Sequence, residues 1–91
     1  MTIRIEHTVQ VWREDASYVA RAIPLDVLSC GTTPEDARRN LSEAVALFLK
    51  TASAHGTLAE VLEECGYRRV NDEWRAPTLL SSETVSQAIS A

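Results

Sequence analysis

Carboxylates are the side chains with the widest chemical reach in this chain. Glu6, Glu14, Asp15, Asp26, Glu35, Asp36 and Glu43 all fall in its first half. Hydrolysis assisted by two divalent cations needs several such groups converging on ions about 4 Å apart. Each of these carboxylates also has an ordinary local explanation. Glu14 and Asp15 lie in a turn-forming run, Asp26 follows Pro24, and Glu6 is on the polar side of an alternating strand. Glu35 and Asp36 fall in a first helical turn, where negative charge complements the helix dipole. His7 is on the core-facing register of the same strand as Glu6, and His55 lies beside Gly56 at a helix end. Neither sits in a nucleophile motif. Cys30 and Cys65 are far apart and in no paired motif. They read as two small buried apolar side chains in a reducing compartment. The three glycines stand at element ends, so no phosphate-cradling loop is present. No catalytic residue, metal ligand set or cofactor is expected, and binding is a better description than catalysis.

Aromatic and basic residues point the same way. Trp12 takes the solvent-side register of its strand, as either a contact residue or a lid on the core. Trp74 lies near Arg69 and Arg75 and reads as a staple for the last strand. Arg68, Arg69 and Arg75 are interleaved with Asp72 and Glu73, which fits a solvated strand face better than a nucleic-acid contact.

The elements that must position these groups follow from periodicity. Ile3, Ile5, His7, Val9 and Val11 alternate with polar residues through Trp12, the pattern of one half-buried strand. A loop of about four residues, Glu14 to Ser17, leads to a second strand from Tyr18 to Ile23 that Pro24 ends. Val27 to Cys30 is a short third strand. Gly31 precedes a helix from Pro34 to about Ser53, with Thr33 as N-cap and Pro34 at the first helical position. Its apolar stripe is Ala37, Leu41, Ala44, Val45, Phe48 and Ala52, and Glu35 can pair with Arg39. Gly56 ends it. A capping box from Thr57 to Glu60 opens a second helix, Leu58 to Cys65, with Gly66 at its C-terminal cap. Tyr67 to Trp74 is a further strand with a turn or bulge at Asn71-Asp72, and Pro77 stops the sheet. Residues 78–91 form a tail or a short helix capped by Ser82, with Val85 and Ile89 on one face.

This gives an α+β domain over residues 1–77, in the order β-β-β-α-α-β, with a possible C-terminal helix. An antiparallel three-stranded sheet and a further strand pack on one long and one short helix. At 91 residues the chain holds a single domain and one modest core. Its net charge of −4 argues against a phosphate-binding surface over the whole chain; it serves solubility first and also suits a basic partner. The opening MTIRIEHTVQ has no apolar signal region and no run is long enough to span a membrane, so a cytoplasmic location is expected.

The stretch from Val11 to Leu49 resembles the HicB-like antitoxin domain. The shared pattern is an acidic turn (Glu14-Asp15), a Tyr-Val-Ala strand (Tyr18-Val19-Ala20) and a proline (Pro24). A Gly-x-Thr step (Gly31-Thr32-Thr33) then leads into a helix carrying Glu35-Asp36-Ala37, Leu41 and Glu43-Ala44. Two departures stand out. The segment Pro24-Leu25-Asp26-Val27-Leu28-Ser29-Cys30 lacks the inner glycine that family members often have there. Only 25 residues follow Gly66, fewer than the roughly 35 that a two-helix DNA-binding module with its connections requires. The resemblance implies a partial ribonuclease H-like fold without nuclease activity. It also implies a protein that occludes a small, basic, mRNA-cleaving toxin of the HicA type. Glu14, Asp15, Asp26 and Trp12 are then the expected contact residues, and DNA binding through this chain alone is not expected. The alternative is a stand-alone oligomeric binding module of the same fold, with no toxin. A homodimer or higher homo-oligomer fits either reading.

Overall fold

The structure, a computed structural model, describes residues 2–90. Its elements are β1 (Arg4–Ile5), β2 (Thr8–Glu14), β3 (Ser17–Ile23), β4 (Val27–Gly31), α1 (Pro34–Ala54), α2 (Leu58–Glu64), β5 (Arg68–Val70) and β6 (Glu73–Arg75). The class is α+β, as the sequence implies. The strands form two three-stranded sheets, β2-β3-β4 and β1-β6-β5. No helix among the described residues is long and apolar enough to cross a membrane.

β2, β3 and β4 form an antiparallel meander. Both connections are tight because an aspartate takes the left-handed conformation, Asp15 with φ 52° and Asp26 with φ 62°. Aspartate visits that region more readily than most residues. β2 runs on to Glu14, which pairs with Ser17, so the expected four-residue loop shrinks to Asp15-Ala16. At the other turn the Asp26 amide donates to the Ala22 carbonyl (2.8 Å), and Arg21 Nε donates to Asp26 Oδ1 (2.8 Å).

The expected single first strand is divided at Glu6-His7. Its first part, β1, leaves the meander and pairs in parallel with β6, with Ile5 opposite Trp74. The expected last strand is a β5–β6 hairpin turning on Asn71-Asp72, with Asn71 at φ 57°. Glu6 locks the crossover. Its carbonyl accepts from the Tyr67 hydroxyl (2.6 Å), and its Oε1 accepts from the Ala76 amide (3.0 Å). Burial pushes the Tyr67 phenol up to about 12, and nearby Cys65 and Glu6 add to the rise. Trp74 is buried and Arg69 stacks 5.9 Å from its ring centre, so this tryptophan staples the hairpin.

α1 begins where its cap predicts. The Thr33 hydroxyl accepts from the Asp36 amide at 3.0 Å. Arg39 pairs with Asp36 at 2.6 Å instead of Glu35. Both helices end in Schellman caps: Gly56 and Gly66 at positive φ place their amides on Ser53 and Glu63, while Thr57 and Tyr67 donate to Ala52 and Leu62. The expected capping box does not form. The Thr57 hydroxyl donates backwards to the Ala52 carbonyl at 3.3 Å, and no side chain caps α2.

The core sits between α1 and one face of the meander. Ala20 and Ala22 from β3 meet Ala37, Leu41 and Val45 from α1, and Leu25, Leu62, Tyr67 and Trp74 close the cluster. Phe48, expected in the helical stripe, is 37% exposed, and Leu49 packs toward the core instead. Past β6 no regular element forms through Ser90, so the region from Ser82 is an extended tail and not a helix.

Candidate functional site

Alternation and register assign every residue of the meander to a face. Val11, Tyr18, Ala20, Ala22 and Val27 point toward α1 and pack on the core. The opposite parity gives an outer face. Trp12, Val19 and Cys30 lie in one cross-strand row there, and Gln10, Arg21 and Leu28 lie in the next. α1 packs on the inner side, and none of these outer-face residues belongs to the core cluster. Trp12 is 37% exposed and Leu28 is 56% exposed. The outer face is thus an apolar strip centred on a tryptophan, a composition associated with contact surfaces.

Its charge is lopsided. Glu14 shares the outer face with Trp12, two residues along β2, and Asp15 lies in the adjoining turn. Neither makes an ion pair among the described residues. The cation on this face is Arg21, and Asp26 engages it. The tryptophan end of the strip therefore carries uncompensated negative charge.

The structure joins some of the expected contact residues and separates others. Trp12, Glu14 and Asp15 form one patch. Asp26 does not join it. The seven residues of β3 divide the two turns, a separation of roughly 20 Å. The four expected contact residues do not form one site, because the two hairpin turns close opposite ends of the meander.

The other residues singled out by the resemblance shape the β4–α1 corner. A Cβ on Gly31 would lie 2.5 Å from the Ala37 backbone nitrogen, so glycine lets the helix start against the strand. Asn40 Nδ2 donates to the Cys30 carbonyl (2.9 Å), and the Thr32 hydroxyl donates to Asp36 Oδ2 (3.2 Å). Ala37 and Leu41 are buried and Ala44 is half-buried, while Glu35 and Glu43 are exposed. Tyr18 packs inward and Val19 points outward. Cys30 is exposed, not buried as the sequence reading holds, because the alternation of β4 turns it to the outer face. His7 lies in the break between β1 and β2, half-buried, with Nδ1 enclosed and without a partner. Among the described residues no three His, Cys, Asp or Glu side chains come close enough to hold a metal ion.

Sequence reasoning missed a second apolar surface. Leu47 and Phe48 of α1 and Val61 of α2 line a groove of about 450 Å³ floored by Ala44 and Ala52. Its signal was Leu47, an apolar residue lying off the helical stripe. Comparison with models of known protein families, with curated proteins and with solved structures found no match.

Proposed function

We propose that this domain is an antitoxin-like binding protein that acts in the cytoplasm by occluding a small, basic ribonuclease toxin of the HicA type. The observation that carries the reading is the open outer face of the meander, with Trp12 beside the unpaired Glu14 and Asp15. The family-like stretch from Val11 to Leu49 builds this face and the corner that supports it, and a net charge of −4 complements a cationic partner. Negative charge at the rim speeds encounter and fixes orientation, while the desolvated aromatic supplies affinity. Occlusion needs no chemistry from the antitoxin, since a protein seated over an RNA-binding surface excludes the RNA.

Co-expression with the product of the adjacent reading frame tests the proposal, scored by growth rescue and by co-purification. Trp12→Ala should weaken the complex by about 30-fold or more, the size of an interface hot spot. Glu14→Lys with Asp15→Lys should slow association and flatten its salt dependence, since the attraction that salt screens is removed. Affinity unchanged by both sets of substitutions would remove the outer face from the interface. A second reading, a self-associating module with no toxin, rests on the α1–α2 groove and the C-terminal arm.

A further inference from the structure

Two apolar features of the chain are left without partners. The first is the C-terminal arm. Residues 77–90 are all exposed, and Leu79 (50%), Leu80 (91%), Val85 (74%) and Ile89 (86%) stand open to water. Single exposed apolar residues are normal on a protein surface, but four on one short segment are not. The second is the α1–α2 groove, about 450 Å³ in volume and without a charged residue in its lining.

The two are chemically matched but lie on different sides of the same copy. The groove is formed by the helices, and α1 covers the inner face of the meander. The arm crosses on the outer-face side, where Gln10 Nε2 donates to Ser82 Oγ at 3.4 Å. That long bond is the one side-chain hydrogen bond between the arm and the body among the described residues. At Ser82 the arm thus meets the face of the meander opposite the one that α1 covers.

We propose that the C-terminal arm of one copy occupies the α1–α2 groove of a second copy, giving a reciprocally exchanged homodimer. Val85 and Ile89 are four residues apart, one helical turn, and Ser82 precedes them as an N-cap. A helix this short does not persist in water, which accounts for the extended arm of the isolated chain. Seated against Leu47, Phe48 and Val61 it gains the apolar surface it lacks alone, an amphipathic helix in a groove. A twofold axis makes the exchange self-complementary, so both arms and both grooves are filled and no open chain of contacts remains. The groove lies apart from the outer face proposed for the toxin, so the exchange and toxin binding use different residues of the body.

Sedimentation equilibrium of the full chain over a range of concentrations tests it, with mass as the readout. The wild type should approach the dimer mass and dissociate on dilution. Val85→Asp with Ile89→Asp alters the exposed arm and should raise the dimer dissociation constant by about a hundredfold or more. Phe48→Asp should do the same from the groove side, and Leu47→Asp, at a residue 66% exposed, serves if the Phe48 variant does not fold. An equimolar mixture of the arm variant and a groove variant should recover dimers, since one intact arm and one intact groove remain. A wild type that stays monomeric at every concentration would overturn the proposal. So would a dimer whose mass survives the arm substitutions. A monomer that loses helical circular dichroism on Val85→Asp would place the arm in its own groove and equally exclude a second copy.

Discussion

The two faces of the β2–β3–β4 meander come from the same three strands yet have opposite fates. On the inner face Ala20 and Ala22 are fully enclosed, and their small side chains let α1 lie close enough to bury Ala37, Leu41 and Val45. On the outer face, one residue further along each strand, Trp12, Leu28 and Cys30 remain exposed. Total hydrophobicity does not separate the faces, since large apolar side chains, Trp12 and Leu28, stand on the open one. What separates them is which face has a helix to receive it, and the Gly31–Thr33 corner decides that by aiming α1 at the inner side. The inner face carries the fold, and the outer face is free to carry a contact.

The strongest way to break this contrast is to cut into the inner face. Leu41 is 1% exposed and sits centrally on α1. Leu41→Ala should cost about 2–5 kcal/mol through lost transfer free energy and the cavity left behind, measured by urea denaturation. A cost below about 1 kcal/mol would mean that the α1–meander contact is not the main core. Gly31→Ala should come next. Its new Cβ would meet backbone atoms of α1, at 2.5 Å from the Ala37 nitrogen and 2.8 Å from the Asp36 carbonyl carbon, where no flexible side chain can give way. A loss of about 1–3 kcal/mol is expected, of the size seen for overpacked cores.

The inner face was the legible one. Its helix could be read from Thr33, Pro34 and the apolar stripe because caps and helical periodicity are local in sequence. The division of the first strand could not. Ile3, Ile5, His7, Val9 and Val11 keep an unbroken period of two across the break, and alternation reports a face, not a partner strand. The partner of β1 is β6, about seventy residues away, so only the tertiary register shows that Arg4 pairs with Glu73. The choice between Phe48 and Leu49 was hidden for a related reason. Both flank the line through Leu41 and Val45 on the helix, and the side from which the sheet and α2 approach settles which one is covered. At the candidate site, Trp12 could be placed on its face from alternation. Separating Asp26 from Glu14 and Asp15 needed the strand lengths, which propensity gives only to within a few residues.

The second sheet extends the contrast, because a part-buried polar bond adds to the apolar packing of Trp74 there. Tyr67→Phe removes the 2.6 Å bond to the Glu6 carbonyl and should cost about 1 kcal/mol. The same hydroxyl predicts a response to alkali. The folded pKa is raised from 10.0 to about 12, so the fold favours the neutral phenol. Its contribution is complete below pH 10 and falls away as pH rises toward about 12. Wild-type stability should therefore drop across that window by more than that of Tyr67→Phe in paired denaturation curves. Equal slopes would mean that the phenol is not held neutral by the fold.

The smallest expected effect on stability sharpens the comparison most. Leu28 is 56% exposed on the outer face, opposite Arg21 and in the row beside Trp12. Leu28→Ser removes little packing, and its urea midpoint should stay within about 0.5 kcal/mol of wild type. If the outer face is a contact surface, the same change should still weaken partner capture, because the lost apolar area is buried only in the complex. The inner-face variants should show the reverse: large losses of stability, and partner affinity preserved in whatever fraction remains folded. A crossed result, with Leu28→Ser destabilising the isolated domain and leaving capture intact, would mean that some segment of the chain already covers the outer face. The arm is the segment to suspect, since Ser82 already reaches Gln10 in the neighbouring position on that face.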